Sequence, residues 1–173
     1  MTVDALLVFG ARALADTWQT KAWATTKLLA RLCALPPNAW VFSGGCEGSP
    51  DAWARELIVE QDAQIGVEEF RLDGRRWRKA PGEDVIRPVE PEETWMQYAP
   101  AGAEEDRGSR QWPLRRNDAL ARAMRAAKSR GVRVEFLGLL APWSKTGGSR
   151  YMLRQLAEIN GSYAECPGWM ACG

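Results

Sequence analysis

The sequence predicts an α/β fold, a mostly parallel, doubly wound sheet flanked by helices. Three observations predict it. Short apolar runs such as Ala5-Leu6-Leu7-Val8-Phe9 read as strands buried on both faces. Stripes such as Ala24, Leu28, Leu32 and Leu35 read as one side of an amphipathic helix. Strand, glycine turn and helix then follow one another several times along the chain.

The elements follow in order. A strand over Ala5–Phe9 ends at Gly10, and a helix over Thr20–Leu35 is closed by Pro36-Pro37. Trp40-Val41-Phe42 is a second strand, leading into the turn Ser43-Gly44-Gly45-Cys46-Glu47-Gly48. Ser49 reads as the N-cap of the next helix, with Pro50 at its first position and Trp53, Ala54, Leu57 and Ile58 as its buried stripe. A third strand is expected over Val67–Leu72. From Asn117 a helix buries Leu120, Ala123, Met124 and Ala127 and stops at Gly131. Val132–Leu140 is a strand. After Lys145-Thr146-Gly147-Gly148-Ser149 a helix carries Met152, Leu153, Leu156 and Ile159, ends at Asn160-Gly161, and gives way to a last strand over Ser162–Glu165.

Residues 73 to about 112 break this pattern. Pro81, Pro88, Pro91, Pro100 and Pro113 crowd the region, and between Glu83 and Asp106 eight acidic residues face one basic one, Arg87. Such an excursion reads as an insertion, about 78–112, partly ordered at best and of the kind that forms lids or binding loops. The basic run Arg110–Arg133 reads as a balance to this acidity rather than a nucleic-acid surface, since 23 Lys+Arg nearly cancel 22 Asp+Glu overall.

Composition narrows the chemistry. The chain of 173 residues, 46% hydrophobic and 26% charged, fits a single globular domain. The absence of His removes the commonest general base, the Ser-His and Cys-His pairs and most mixed zinc sites. Cys33, Cys46, Cys166 and Cys172 form no C-x-x-C pair, so no metal site is expected and the thiols read as reduced, in a cytoplasmic protein. No apolar run approaches the roughly 20 residues that span a bilayer, and no membrane partner is expected.

Three strand-to-helix turns suit an anion. Gly10-Ala11-Arg12, Ser43 to Gly48, and Thr146-Gly147-Gly148-Ser149 bring backbone N–H groups, positive helix ends and a cation to the carboxyl ends of strands. None is a phosphate-binding Walker loop or a dinucleotide fingerprint. Trp23, Trp40 and Trp53 read as core. Trp77, Trp95 and Trp112 have no core assignment, and one of them is a candidate to stack over the site.

Four ordered motifs carry a resemblance. Phe9-Gly10-Ala11-Arg12, then Ser43-Gly44-Gly45-Cys46-Glu47-Gly48 with Asp51-Ala52, then Arg116-Asn117 with Met124, then Gly148-Ser149-Arg150-Tyr151-Met152 resemble the SLOG superfamily. The branch is that of small stand-alone YspA-related domains, frequent in bacteria and phages. Distant relatives are the LOG phosphoribohydrolases that activate cytokinins, DNA-processing protein A, and sensor domains of defence systems.

The resemblance implies a Rossmann-like fold that binds a nucleotide or nucleotide-derived small molecule, requires no cofactor, and pairs into a homodimer. By position it implies a pocket lined by Arg12, Gly44, Gly45, Gly48, Asp51, Arg116, Asn117, Gly148 and Ser149, to which the glycine turns add Gly10 and Gly147. The tryptophan-rich surface suits the dimer. Two alternatives come with the relatives: nucleotide N-glycoside hydrolysis, and partnership in single-stranded DNA processing.

The chain departs from the family pattern at Ala11, where Ser is usual, and at Ser49-Pro50, which puts one extra residue before Asp51. Met152 stands where the phosphoribohydrolases carry a glutamate, and a thioether moves no proton. Hydrolysis would then need Asp51, Glu47 or an insertion acid such as Glu92, Glu93, Glu104, Glu105 or Asp106.

Overall fold

The computed structural model describes residues 3–90, 93–144 and 148–172. Among them seven strands form one sheet: β1 (Ala5–Gly10), β2 (Trp40–Ser43), β3 (Gly66–Phe70), β4 (Arg76–Lys79), β5 (Arg87–Pro88), β6 (Val134–Leu140) and β7 (Asn160–Glu165). Their order is β5-β4-β3-β2-β1-β6-β7. The run β3-β2-β1-β6-β7 is parallel, a Rossmann-like arrangement, and β4 and β5 add to its edge antiparallel.

The helices are α1 (Trp18–Cys33), α2 (Pro50–Gln61), α3 (Trp112–Ser129) and α4 (Gly148–Gln155). Each side of the sheet receives a pair of them because alternate strand residues point to opposite faces. Leu6, Val8, Val41 and Val67 pack with Leu28 and Leu32 of α1 and Ala54 and Ile58 of α2. Leu7, Phe9, Phe70 and Phe136 pack with Leu120 and Met124 of α3 and Met152 of α4. The capping box at the start of α1, where Thr17 Oγ1 accepts the Thr20 N–H at 3.1 Å, sets where that helix begins. No helix among the described residues is long and apolar enough to cross a membrane.

The expected break in the pattern is corrected. The segment after β3 is not a lid: its described residues build β4 and β5 and then pack two indoles into the core. Trp95 is fully buried and Trp112 nearly so, their rings 4.7 Å apart. Each indole N–H reaches a carbonyl at the end of β3, Trp95 to Arg71 (2.7 Å) and Trp112 to Leu72 (2.9 Å). Trp77 lies under the Arg71 guanidinium, 3.9 Å from its ring centre, and donates to Asp73.

Several boundaries also differ from those expected, most of all at α3 and α4. α3 begins at Trp112 instead of Asn117, because Pro113 occupies its first turn, where a missing N–H costs nothing. α4 ends at Gln155, and Asn160-Gly161 opens β7 instead of merely ending a helix. Arg125 and Lys128 of α3 donate to the carbonyls of Gln155, which closes α4, and Glu158 beyond it, and Arg115 pairs with Asp106 and Asp118. Much of the basic run is thus spent inside the molecule.

Buried charge ties the added strands to the sheet. Consecutive residues of β3 face opposite sides, so Glu68 takes Arg76 and Arg78 on one face, while Glu69 takes Arg55 and Arg71 on the other. Lys79 is buried with its ammonium on the carbonyls of Ala63 and Ile65 (3.0 and 2.8 Å), and burial pushes its pKa down.

Candidate ligand-binding cleft

β1 and β6 are adjacent and parallel, yet the chain leaves β1 toward one face and β6 toward the other. In open α/β sheets that divergence opens a crevice at the carboxyl ends of the two strands. Here it is a cleft of about 280 Å³, walled among others by Gly10 and Arg12 after β1, Cys46 and Asp51 around the start of α2, Arg116 and Asn117 on α3, and Gly148, Ser149 and Met152 on α4. Seven of the expected site residues therefore meet in one place: Gly10, Arg12, Asp51, Arg116, Asn117, Gly148 and Ser149.

The other described ones, Gly44, Gly45 and Gly48, do not line this cleft. Gly44 and Gly45 border an adjoining hollow of about 300 Å³, which shares Arg12, Cys46 and Leu72 with it. Gly48 lines neither, and Gly147 lies outside the described residues. No tryptophan lines the cleft, which corrects the expectation of a stacking lid. Glu93 and Asp106 are paired with Arg76 and Arg115, Glu104 with Arg107, and none of them nor Glu105 reaches the cleft; Glu92 lies outside the described residues.

The glycine turn is built around the protein's own charges. A side chain on Gly44 would overlap the Arg116 guanidinium, and one on Gly45, at φ +63°, would sit 2.7 Å from Glu69 Oε1. Arg116 is only 5% exposed. It donates to the carbonyls of Gly44 (2.9 Å) and Phe70 (3.4 Å), to Asn117 Oδ1 (3.0 Å) and to Cys46 Sγ (3.6 Å). Arg116, expected to line the pocket, thus spends most of its donors locking α3 onto the turn.

Arg12 is different. Its side chain is exposed, its one contact in the cleft is Cys46 Sγ at 3.7 Å, and no carboxylate among the described residues pairs with it. The first turn of α4 stands across from it, with backbone N–H groups that have no acceptor inside the helix. Cys46 is where the two guanidiniums converge. Two acids in a row inside an expected strand, Glu68-Glu69, were the available signal for the buried ion pairs behind it.

Asp51 is the only carboxylate lining the cleft among the described residues. It points back at the turn, where Oδ2 accepts the Gly44 N–H at 3.1 Å. Burial raises its pKa from 3.8 to about 6, with Glu69 pushing the same way and Arg116 and the Gly44 and Cys46 amides pulling against them. The folded protein therefore holds this proton more tightly than the unfolded chain does. The stabilisation is full below about pH 4 and is lost as pH rises through about 6, a change on the order of 3 kcal/mol. Asp51→Asn keeps an oxygen for Gly44 and removes the titration. Urea denaturation at about pH 5 and about pH 8 should show the wild type losing more stability than this variant; parallel losses would refute the assignment.

Comparison with protein-family models, with curated proteins and with solved structures finds no match to the chain.

Proposed function

We propose that the cleft holds a nucleotide or nucleotide-derived small molecule, its phosphate against Arg12 and the first turn of α4. The observation that carries this reading is the meeting of a guanidinium that has no carboxylate partner among the described residues with a helix start at the β1/β6 divergence. An anion there relieves two electrostatic costs at once. The remaining walls, Phe9, Leu72, Pro113, Leu114 and Met152, offer apolar cover for a base or sugar. At about 280 Å³ the cleft is at the small end of ligand sites, which favours a mononucleotide-sized molecule.

Thermal denaturation with a panel of nucleotides tests the proposal. A ligand present at a hundredfold its Kd stabilises the folded state by about 2.7 kcal/mol, roughly 5–10 °C for a chain of this size. Arg12→Ala should abolish the shift and leave the ligand-free melting temperature within about 1–2 °C, since the residue is exposed and its hydrogen bond among the described residues goes to a sulfur. A panel without any shift at millimolar concentration counts against the proposal.

Asp51 favours a second reading, N-glycosidic cleavage of a nucleotide. A carboxyl group with a pKa of about 6 suits a proton donor. Against it, Met152, the residue that the resemblance matches to the phosphoribohydrolase glutamate, is a thioether in the cleft wall, and Asp51 is held by the Gly44 amide. Release of free base from nucleoside monophosphates is expected to stay near background, and turnover abolished by Asp51→Asn would establish the hydrolase instead.

A further inference from the structure

The two edges of the sheet are finished differently. β5 is two residues long, and those residues are Arg87 and Pro88. Short length, charge and proline are the usual means by which an edge strand is kept from pairing with another chain. β7 has six residues, Asn160-Gly161-Ser162-Tyr163-Ala164-Glu165, with no Lys, Arg or Pro. All but Ala164 are exposed, although strands of a parallel sheet are ordinarily covered on both faces. Among the described residues it pairs on one side only, with β6.

The phase of that pairing decides what the open side offers. Leu140 aligns with Glu165, and the Cys166 N–H donates to the Leu140 carbonyl, so Cys166 directs its backbone groups to β6. Backbone direction alternates along a strand. Gly161, Tyr163 and Glu165 therefore turn their N–H and C=O groups outward. The same residues border a groove of about 480 Å³ beside Leu153, Leu156 and Ile159, with Tyr163 58% exposed.

We propose that β7 pairs antiparallel with β7 of a second copy of this chain, about a two-fold axis at Tyr163, making one continuous sheet across both molecules. An axis perpendicular to the sheet keeps α4 of both copies on the same face. In this register Tyr163 faces Tyr163, and Gly161 faces Glu165 on either side. Each of these pairs matches outward donors to outward acceptors. No like charges meet, and the two tyrosines form a cross-strand aromatic pair beside the groove.

Light scattering of the full chain at micromolar concentration is expected to give twice the monomer mass. Amide hydrogen exchange should lose protection within 160–165 on dilution. Tyr163→Pro removes an outward N–H without touching the ladder to β6, and Tyr163→Lys sets two ammonium groups against each other. Both variants should be monomers, with the Tyr163→Lys melting temperature unchanged at concentrations where the wild type is also monomeric. A wild-type monomer at micromolar concentration overturns the proposal. So does a Tyr163→Lys dimer, above all one that dissociates when the exposed Trp18 and Trp169 are replaced by Ala (76% and 72% exposed).

Discussion

Arg116→Ala is expected to cost about 3–5 kcal/mol of stability, the range for removing one partner from a buried, hydrogen-bonded charge system. The guanidinium reaches the Gly44 and Phe70 carbonyls, Asn117 Oδ1 and Cys46 Sγ, and it is the cation nearest the buried Asp51 in electrostatic effect. Its removal leaves two carbonyls without their donor, opens a void over Gly44, and takes away the charge that holds the Asp51 pKa down. The Asp51 titration should therefore move above about 6 in this variant. Arg116→Lys restores the charge but cannot span the same acceptors, so it should recover only part of the loss. Chemical denaturation of the two variants beside Arg12→Ala separates the structural arginine from the proposed ligand-binding one. Equal, small losses for Arg12→Ala and Arg116→Ala would contradict this division.

Trp95→Ala should cost roughly 3–5 kcal/mol, as large-to-small changes of buried aromatic residues do. Trp95 is fully buried, stacks against Trp112 and donates to the Arg71 carbonyl. The turn that begins beside it, Trp95–Tyr98, packs on α3 and holds the acidic segment against the sheet. Limited proteolysis is expected to cut the variant between β4 and α3 while the wild type resists. Proteolytic sensitivity of the wild type at the same rate would show that the segment is not anchored by the indole.

That anchoring was hidden in the sequence for a physical reason. Strand β4 reads Arg-Trp-Arg-Lys, and the residues it buries are charged ones, Arg76 and Lys79. Its Arg76 and Lys79 are buried because Glu68, Glu93 and the Ala63 and Ile65 carbonyls satisfy them, and those partners lie 8 to 17 positions away along the chain. Local patterning cannot register such compensation. β1, α1, β2, α2 and β6 were legible because their stability comes from apolar faces, which leave a period in the sequence. Pro113 misled for a related reason: one proline both breaks a helix interior and opens a helix, and only the start of α3 shows which.

The site was legible in location more than in role. Gly44 and Gly45 are glycines because something must approach their backbone, as the turn implied. The visitors are Arg116 and Glu69, from elements 72 and 24 residues further on in the chain. Arg12 donates to Cys46 Sγ and has no carboxylate partner among the described residues, while Asp51, expected to line the pocket, braces the turn from within.

NMR titration of the labelled protein with adenosine monophosphate decides whether the β1/β6 cleft takes a nucleotide. Saturable amide shifts are expected at Gly10 to Arg12, Cys46, Gly148 and Ser149, lost in Arg12→Ala. Shifts confined to other surfaces, such as the groove beside Trp40 and Tyr98, or equal shifts in Arg12→Ala, would contradict it.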